Sequence, residues 1–394
     1  MYFHFQNEHN NMKDLIFHKS DLSTPAYIYD EITILNVLER LTNLKEKTGC
    51  LPLYSIKSAN MIGLLETIKP HVSGFSCSSL FEVQLAKEIL GNDQTIHITT
   101  PGYRDEEWDK IIELSDFVTL NSISQWRRVS EQINTKSSCG IRINQELSFV
   151  DDERYDPCRP DSKLGITLEQ IADADSRGEL NWQAIEGVHI HNNCESINFD
   201  ELKRSVVYVM SGLSKYNPEL KWVNLGGGYL FNDETDLTLL EETIKWLQDD
   251  ISVTVFIEPG KAITGCAGYL IATVIDLIES KNKRIAVLDT TINHLPEVFE
   301  YQYRPKVMQT TEQGKHEYRL VGCSCLSGDL FGDYYFDEPL ELGRRIIIEN
   351  IGAYMQVKAN MFNGINLPAT YLLEAENNMK LLKQHDYDSF RRRL

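Results

Sequence analysis

The chain of 394 residues carries 58 acidic against 39 basic side chains, a formal net charge of −19, with 42% hydrophobic and 25% charged residues. These are the proportions of an ordinary globular protein, long enough for one large domain and a smaller one around a buried core. The acidic balance argues against a nucleic-acid partner, because binding a phosphate backbone needs clustered Lys and Arg.

The N-terminal stretch "MYFHFQNEHNNMKDLIFHKS" has no continuous apolar core of the kind a signal peptide needs. No apolar run approaches the ~18 residues of a spanning helix, so the expectation is a cytoplasmic protein without a membrane partner. Eight cysteines are scattered along the chain without a CxxC pair, which suggests neither a disulfide framework nor a zinc ribbon. No metal site is expected.

From residue 52 onward, short β-branched runs alternate with amphipathic helical stretches. The runs are "PLYSIK", "VSGFS", "TIHITT", "FVTLN", "CGIRIN", "EGVHIHN", "KWVNLGGG" and "VTVFIEPG". Between them lie segments such as "SSLFEVQLAKEIL" and "ITLEQIADADSR", whose apolar residues recur at helical spacing. Eight βα units over roughly 230 residues predict a (β/α)8 TIM barrel, in which chemistry collects at the C-terminal ends of the strands. The predicted barrel covers residues 25–265. The remainder, 266–394, reads as short strands with turn signals ("YLIATVIDLI", "KRIAVLDT", "EYRLVGCSC", "RRIIIEN") and a helix-like tail. It predicts a C-terminal all-β domain, completed by residues 1–24.

The strand ends carry Lys57, Ser76, Thr100, Asn121, Arg142, His191, Gly226 and Glu258. Singly, each has a bland reading: a surface lysine, a satisfied core histidine, a glycine turn. Jointly they suit pyridoxal 5'-phosphate. A partly desolvated lysine can hold the cofactor as a Schiff base. Three consecutive glycines let backbone N–H groups approach a phosphate. A carboxylate facing the pyridine nitrogen keeps it protonated, and an imidazole can stack on the ring.

The motifs "YSIKSAN", "RINQELS" followed by "DSKLGI", "GVHIHNNCES", "WVNLGGG", "FIEPG", "GCSCLSGD" and "IGAYMQVKANMFNG" resemble, in order and over nearly the whole chain, those of the fold type III pyridoxal-phosphate decarboxylases, which have an alanine racemase-like barrel. Within that family "CLSGD", "FNGINLP" and "HDYDSFRRRL" are most similar to the carboxynorspermidine/carboxyspermidine branch. The diaminopimelate and ornithine branches are more distant. The resemblance implies roles residue by residue. Lys57 matches the Schiff-base lysine, His191 the ring-stacking histidine, and Gly226, Gly227 and Gly228 the phosphate loop. Glu258 matches the partner of the pyridine nitrogen and Tyr354 a second phosphate contact. Cys325 matches the proton donor that enters from the partner subunit of an obligate homodimer with its active sites at the interface. Arg142 and Lys163 match charges near the cofactor, and Asp329 lies on the substrate side with the rest of "CLSGD". Arg304 matches either an arginine on the substrate side or a surface ion pair near Glu300.

The activity so implied is decarboxylation of a small amino-acid-type substrate, a 3-amino-3-carboxypropyl compound, to its aminopropyl product in polyamine biosynthesis. Lys261 complicates the substrate, because an acidic residue is expected after "EPG" in the carboxynorspermidine enzymes. One reading of Lys261 is an anionic substrate tail, as in the aminopropylation of microcin C-like peptide-nucleotide antibiotics. Another has it facing the cofactor phosphate. A catalytically silent, decarboxylase-like binding protein is the reading from a different class, and keeping Lys57, Glu258 and Cys325 together speaks against it.

Overall fold

A computed structural model describes Phe17 and residues 22–133, 137–216 and 218–394. The chain divides into two compact units. One is Leu35–Ile263; the other joins the described residues up to Ile34 to Thr264–Leu394.

The first strand, β1 (Ala26–Asp30), belongs to the second unit. The first unit is built on β2 (Leu51–Ser55), β3 (Gly74–Cys77), β4 (Thr95–Thr99), β5 (Phe117–Leu120), β6 (Ser138–Asn144), β7 (Ile166–Thr167), β8 (Gly187–Ile190), β9 (Trp222–Asn224) and β10 (Thr254–Ile257). Parallel pairing runs β2–β3–β4–β5–β6–β8–β9–β10 and returns to β2, closing an eight-stranded parallel barrel. β7 is a two-residue appendage on β6. The eight apolar runs of the sequence are these eight strands. They read as near-continuous β-branched segments because a parallel strand in a barrel is buried on both faces.

The predicted helices follow. Leu80–Leu90 is capped by the Ser79 hydroxyl, which accepts from Glu82 N, and Leu168–Ser176 opens on a Thr167–Gln170 capping box. Inside the barrel Trp222 is the largest filler, and two neighbouring strands make room for it. A Cβ at Gly140 or Gly187 would lie 2.4 or 2.1 Å from its ring. Nearby the His97 ring stacks on Phe117 at 4.2 Å and meets Phe256 edge-on at 4.4 Å.

The second unit is an eight-stranded sheet of β1 with β11 (Gly268–Glu279), β12 (Arg284–Leu288), β13 (His316–Val321), β14 (Leu330–Phe336), β15 (Arg345–Glu349), β16 (Ala369–Leu373) and β17 (Met379–Lys383). Its order is β14-β13-β12-β11-β1-β16-β17, with β15 on β11. β1, read from sequence within the barrel segment, instead lies between β11 and β16, with Ala26 opposite Ile271 and Ala369. Completion of the sheet by residues 1–24 falls mostly outside the described residues. Phe17 and Leu22 are described, pack in its apolar core, and give their carbonyls to Arg345. The tail forms a short helix, Tyr387–Arg391, capped by Asp386. No helix among the described residues is long and apolar enough to cross a membrane.

Candidate active site

Lys57 follows β2 in a single tight turn, Ile56–Ser58, that leaves it little freedom at the backbone. Ser58 Oγ donates to Ser55 O at 2.9 Å and to Tyr54 Oη at 3.0 Å, while Tyr54 Oη donates to Ala59 O at 2.9 Å. Ser55 N donates to Pro259 O, just past the end of the neighbouring strand β10, at 3.1 Å. The amine projects into a cavity of about 460 Å³ whose walls include Arg142, Lys163, His189, His191 and Glu258. Solvent reaches Lys57 through the open mouth, yet protein surrounds it on the other sides. That second environment governs its charge: desolvation lowers its pKa, more than the nearby Glu258 carboxylate raises it.

Glu258, 6% exposed, lies past the end of β10. Burial alone would raise its pKa, but His189, the charge of Lys57 and a hydrogen bond from Asn224 outweigh it and hold the carboxyl well below the usual range. Asn224 Nδ2 donates to Oε1 at 2.8 Å and His189 Nε2 bonds Oε2 at 3.2 Å. Burial keeps the His189 imidazole neutral, lowering its pKa against the pull of Glu258. With the carboxylate ionised and the imidazole neutral, the proton of that bond sits on His189 Nε2.

The glycine loop is cut to fit its surroundings. Gly226 (φ +65°) and Gly228 (φ +89°) occupy the left-handed region, and a Cβ on Gly227 or Gly228 would come within 2.4 Å of Glu258 O or 2.0 Å of Asn193 O. Gly226 N donates to Asn224 Oδ1 at 2.9 Å and Gly227 N to His191 Nδ1 at 3.1 Å. Asn224 therefore ties the carboxylate to the loop with one amide, and Gly227 fixes His191 with its proton on Nε2.

Of the residues expected from sequence, Lys57, Arg142, His191, Gly226, Gly227, Gly228 and Glu258 gather in this one unit. Arg142 is 8% exposed, its pKa lowered by burial to about 10. Lys163 lines the same cavity, its backbone clasped by the Asn121 amide, which donates to Lys163 O and accepts from Gly165 N. Lys261 departs from expectation: its ammonium pairs with Glu195 at 2.5 Å.

Cys325, Tyr354, Arg304 and Asp329 belong to the other unit. Cys325 is exposed, with its N–H given to Asn363 Oδ1 at 2.8 Å. Tyr354 has a left-handed backbone, φ +61°. Asp329, expected on the substrate side, is 4% exposed and divides its carboxylate between its own loop and the turn at Ile292. It accepts from Ile292 N at 2.6 Å, Ser324 N at 2.9 Å and Ser324 Oγ at 2.5 Å. Arg304 is expected either on the substrate side or in an ion pair near Glu300. Its guanidinium donates to Asp333 O at 3.0 Å and lies over the Tyr334 ring, while Glu300 pairs with Lys358.

Sequence reading missed His189 and Asn224. The signal was present, since both stand two residues before a named strand-end residue, His191 and Gly226, and alternate residues of a strand share a face.

Residues 35–265 match the pyridoxal binding domain of the pyridoxal-dependent decarboxylases. The chain belongs to this family. It is 33% identical to the carboxyaminopropylagmatine decarboxylase of Synechocystis, over 95% of this chain and 96% of that one. It is 32% identical to the carboxynorspermidine/carboxyspermidine decarboxylase of Campylobacter jejuni, over 94% and 98%. The crystal structure of the Campylobacter jejuni carboxynorspermidine decarboxylase with norspermidine superposes with a TM-score of 0.86 at 30% identity, covering 95% of this chain and all of that one. Diaminopimelate decarboxylase from Helicobacter pylori, TM-score 0.80 at 21% identity, shares the fold. This pyridoxal-dependent decarboxylase is thus a carboxy-lyase with pyridoxal 5'-phosphate as its cofactor. The site fits that group: a buried anion and a lysine of lowered pKa face one cavity, and a glycine cradle that a Cβ would fill is hydrogen-bonded to two residues of its wall, His191 and Glu258.

Proposed function

We propose that the protein decarboxylates the 3-amino-3-carboxypropyl head of a polyamine-type substrate, leaving a 3-aminopropyl group. The observation that carries this reading is the convergence of Lys57, His191, Glu258 and the Gly226–Gly228 cradle within one unit of a chain so similar to the carboxynorspermidine and carboxyaminopropylagmatine enzymes.

Lys57 would hold the cofactor through its amine, and its lowered pKa favours the neutral, nucleophilic form. Gly226, Gly227 and Gly228 would take the phosphate, with Tyr354 as a further contact. His191 would lie against the ring, oriented by Gly227 N. Glu258, kept ionised by His189 and Asn224, would hold a proton on the pyridine nitrogen. When bound, the cofactor supplies an electron sink for the pair released as CO2 leaves. Arg142 and Lys163 set a positive wall in the cavity that suits the substrate carboxylate on arrival. The Cys325 thiol would return a proton to the α-carbon. Its exposure suits a residue that completes a site on a second subunit, so we infer a homodimer acting in the cytoplasm, with residues 35–263 as the cofactor-binding domain and the described residues up to 34 together with 264–394 as the β domain.

The Lys261–Glu195 pair bears on the substrate tail. Lys261 by itself reverses an expected charge and so favours an anionic tail; with Glu195 against it that charge is balanced locally. The tail we infer is therefore cationic, and a place in antibiotic biosynthesis loses its support. The test is CO2 release from carboxynorspermidine, carboxyspermidine, carboxyaminopropylagmatine and a phosphoryl-tailed analogue bearing the same head. Turnover of a cationic member with the highest kcat/KM supports the proposal. Preference for the phosphoryl analogue, or turnover of none, defeats it.

A further inference from the structure

Three loops rise side by side at the barrel mouth: 191–196 after β8, 225–230 after β9 and 258–261 after β10. The middle one carries the glycine cradle. It is bonded to the first through Ser196 N to Gly228 O at 3.0 Å and Leu230 N to Ser196 O at 2.9 Å, and to the third through Glu258 N to Gly226 O at 2.7 Å. β8 and β10 are not neighbours, since β9 lies between them, so no strand ladder joins the outer loops. Two side-chain pairs span that gap instead. At the base, His189 bonds Glu258; at the rim, Lys261 bonds Glu195 at 2.5 Å.

The cradle is wedged in this frame. Gly228 is packed against Asn193 O on one side and Gly227 against Glu258 O on the other, too closely for a Cβ at either. Spreading the outer loops would open the cradle, and the rim pair resists that spreading. Glu195 also has a left-handed backbone, φ +57°, which a non-glycine residue keeps only where its surroundings impose it.

We propose that Lys261 and Glu195 form a rim clamp that holds the glycine cradle to the shape of a phosphate. In this assignment both are positioning residues for cofactor retention, and neither is a receptor for the substrate tail. It rests on the reading that Gly226–Gly228 receive the cofactor phosphate. A clamp and a direct charge on the phosphate make opposite predictions for Glu195. A clamp needs both partners, whereas a lysine acting directly on the phosphate would act more strongly once its neutralising carboxylate were removed.

The experiment is the rate of pyridoxal phosphate loss, followed by the absorbance of the lysine-bound cofactor near ~420 nm while free cofactor is scavenged. The variants are Lys261→Met, Glu195→Gln, the double variant, and the exchanged pair Lys261→Glu with Glu195→Lys. Both partners are part-exposed, at 30% and 42%, so the expected single-variant effect is about two- to fivefold faster loss. The double variant should be no worse than either single, and the exchanged pair should recover most of the retention. Thermal unfolding of the cofactor-free protein should change little across the set. Slower loss in Glu195→Gln, additive losses in the double variant, or no recovery in the exchanged pair overturns the clamp. Loss of pyridoxal from the wild type as slow as that of its phosphate would instead remove the phosphate reading of the cradle, and the clamp with it.

Discussion

The barrel and the β unit handle their polar side chains in different ways. In the barrel, buried polar groups satisfy one another across strands: Glu258 on His189 and Asn224, Asn224 on the glycine loop, the glycine loop on His191. The result is a network whose free valences point into one cavity. In the β unit, the buried carboxylate of Asp329 is consumed locally, closing a turn that leaves Cys325 exposed. One unit has a cavity, open at its mouth, whose walls carry their own charge balance. The other presents the Cys325 thiol at its surface on a braced loop. A buried network fixes protonation states through desolvation and pairing, whereas an exposed thiol depends on what surface it meets.

The largest test of this contrast is Lys57→Ala. Decarboxylation should fall below detection, and borohydride treatment followed by peptide mapping, which should mark Lys57 in the wild type, should find no pyridoxyl group in the variant. A mark on Lys163 or Lys261 in the wild type would break the assignment of the barrel site. Cys325→Ala comes next. Loss of a positioned proton donor should slow turnover by roughly a hundred- to ten-thousandfold while the cofactor stays bound. If the thiol serves a second subunit, mixing this variant with Lys57→Ala subunits should recover activity, since a hybrid pair contains one site with both native groups. No recovery, with subunit exchange shown by mass spectrometry, would rule out the shared site.

The sequence made the barrel far more legible than the β unit, for a physical reason. Parallel strands buried on both faces announce themselves as continuous β-branched runs, and the site residues stand just past them. β1, "AYIYD", is equally apolar, but its partners at Ile271 and Ala369 lie hundreds of positions away and nothing local distinguishes it from a barrel strand. The Lys261–Glu195 pair joins loops that are not sequential, so Lys261 looked like an unbalanced charge. Asp329 looked like a substrate contact because a carboxylate beside a cysteine carries no sign of where its hydrogen bonds go.

Asp329→Asn sharpens the β-unit side. The amide can keep one acceptor but turns an NH2 toward the donors of Ser324, so a buried bond is lost and two donors face each other. The cost should be about 1–3 kcal/mol in urea unfolding. The loop should also loosen, raising the rate at which iodoacetamide alkylates Cys325. An unchanged alkylation rate would show that Asp329 does not hold the thiol's loop.

The smallest effect comes from a matched pair of histidines, one in each unit. His97 in the barrel and His294 in the β unit both have Nε2 buried without a hydrogen-bond partner among the described residues, and burial pushes each imidazole down to about 3. Both are neutral in the fold, whereas an unfolded histidine titrates near ~6.5. Between about pH 6.5 and pH 3 the unfolded chain therefore binds one more proton per imidazole. Stability is intact above that window and falls as pH falls through it, by about 1.4 kcal/mol per pH unit for each group. His97→Phe keeps an aromatic ring against Phe117, where the imidazole stacks at 4.2 Å, and removes both the proton site and the orphaned nitrogen. Stability at pH 7 should hold or rise slightly, and its slope between about pH 6 and pH 4 should become shallower by one proton. His294→Phe should remove the same slope but forfeit the 2.9 Å bond between Nδ1 and Thr290 Oγ1, costing about 0.5–1.5 kcal/mol at pH 7. Urea titrations at pH 7, 6 and 5 separate the two. A wild-type slope in His97→Phe would mean that the barrel already accommodates the protonated ring, and the contrast between a charge-balanced barrel interior and a locally satisfied β unit would have to be redrawn there.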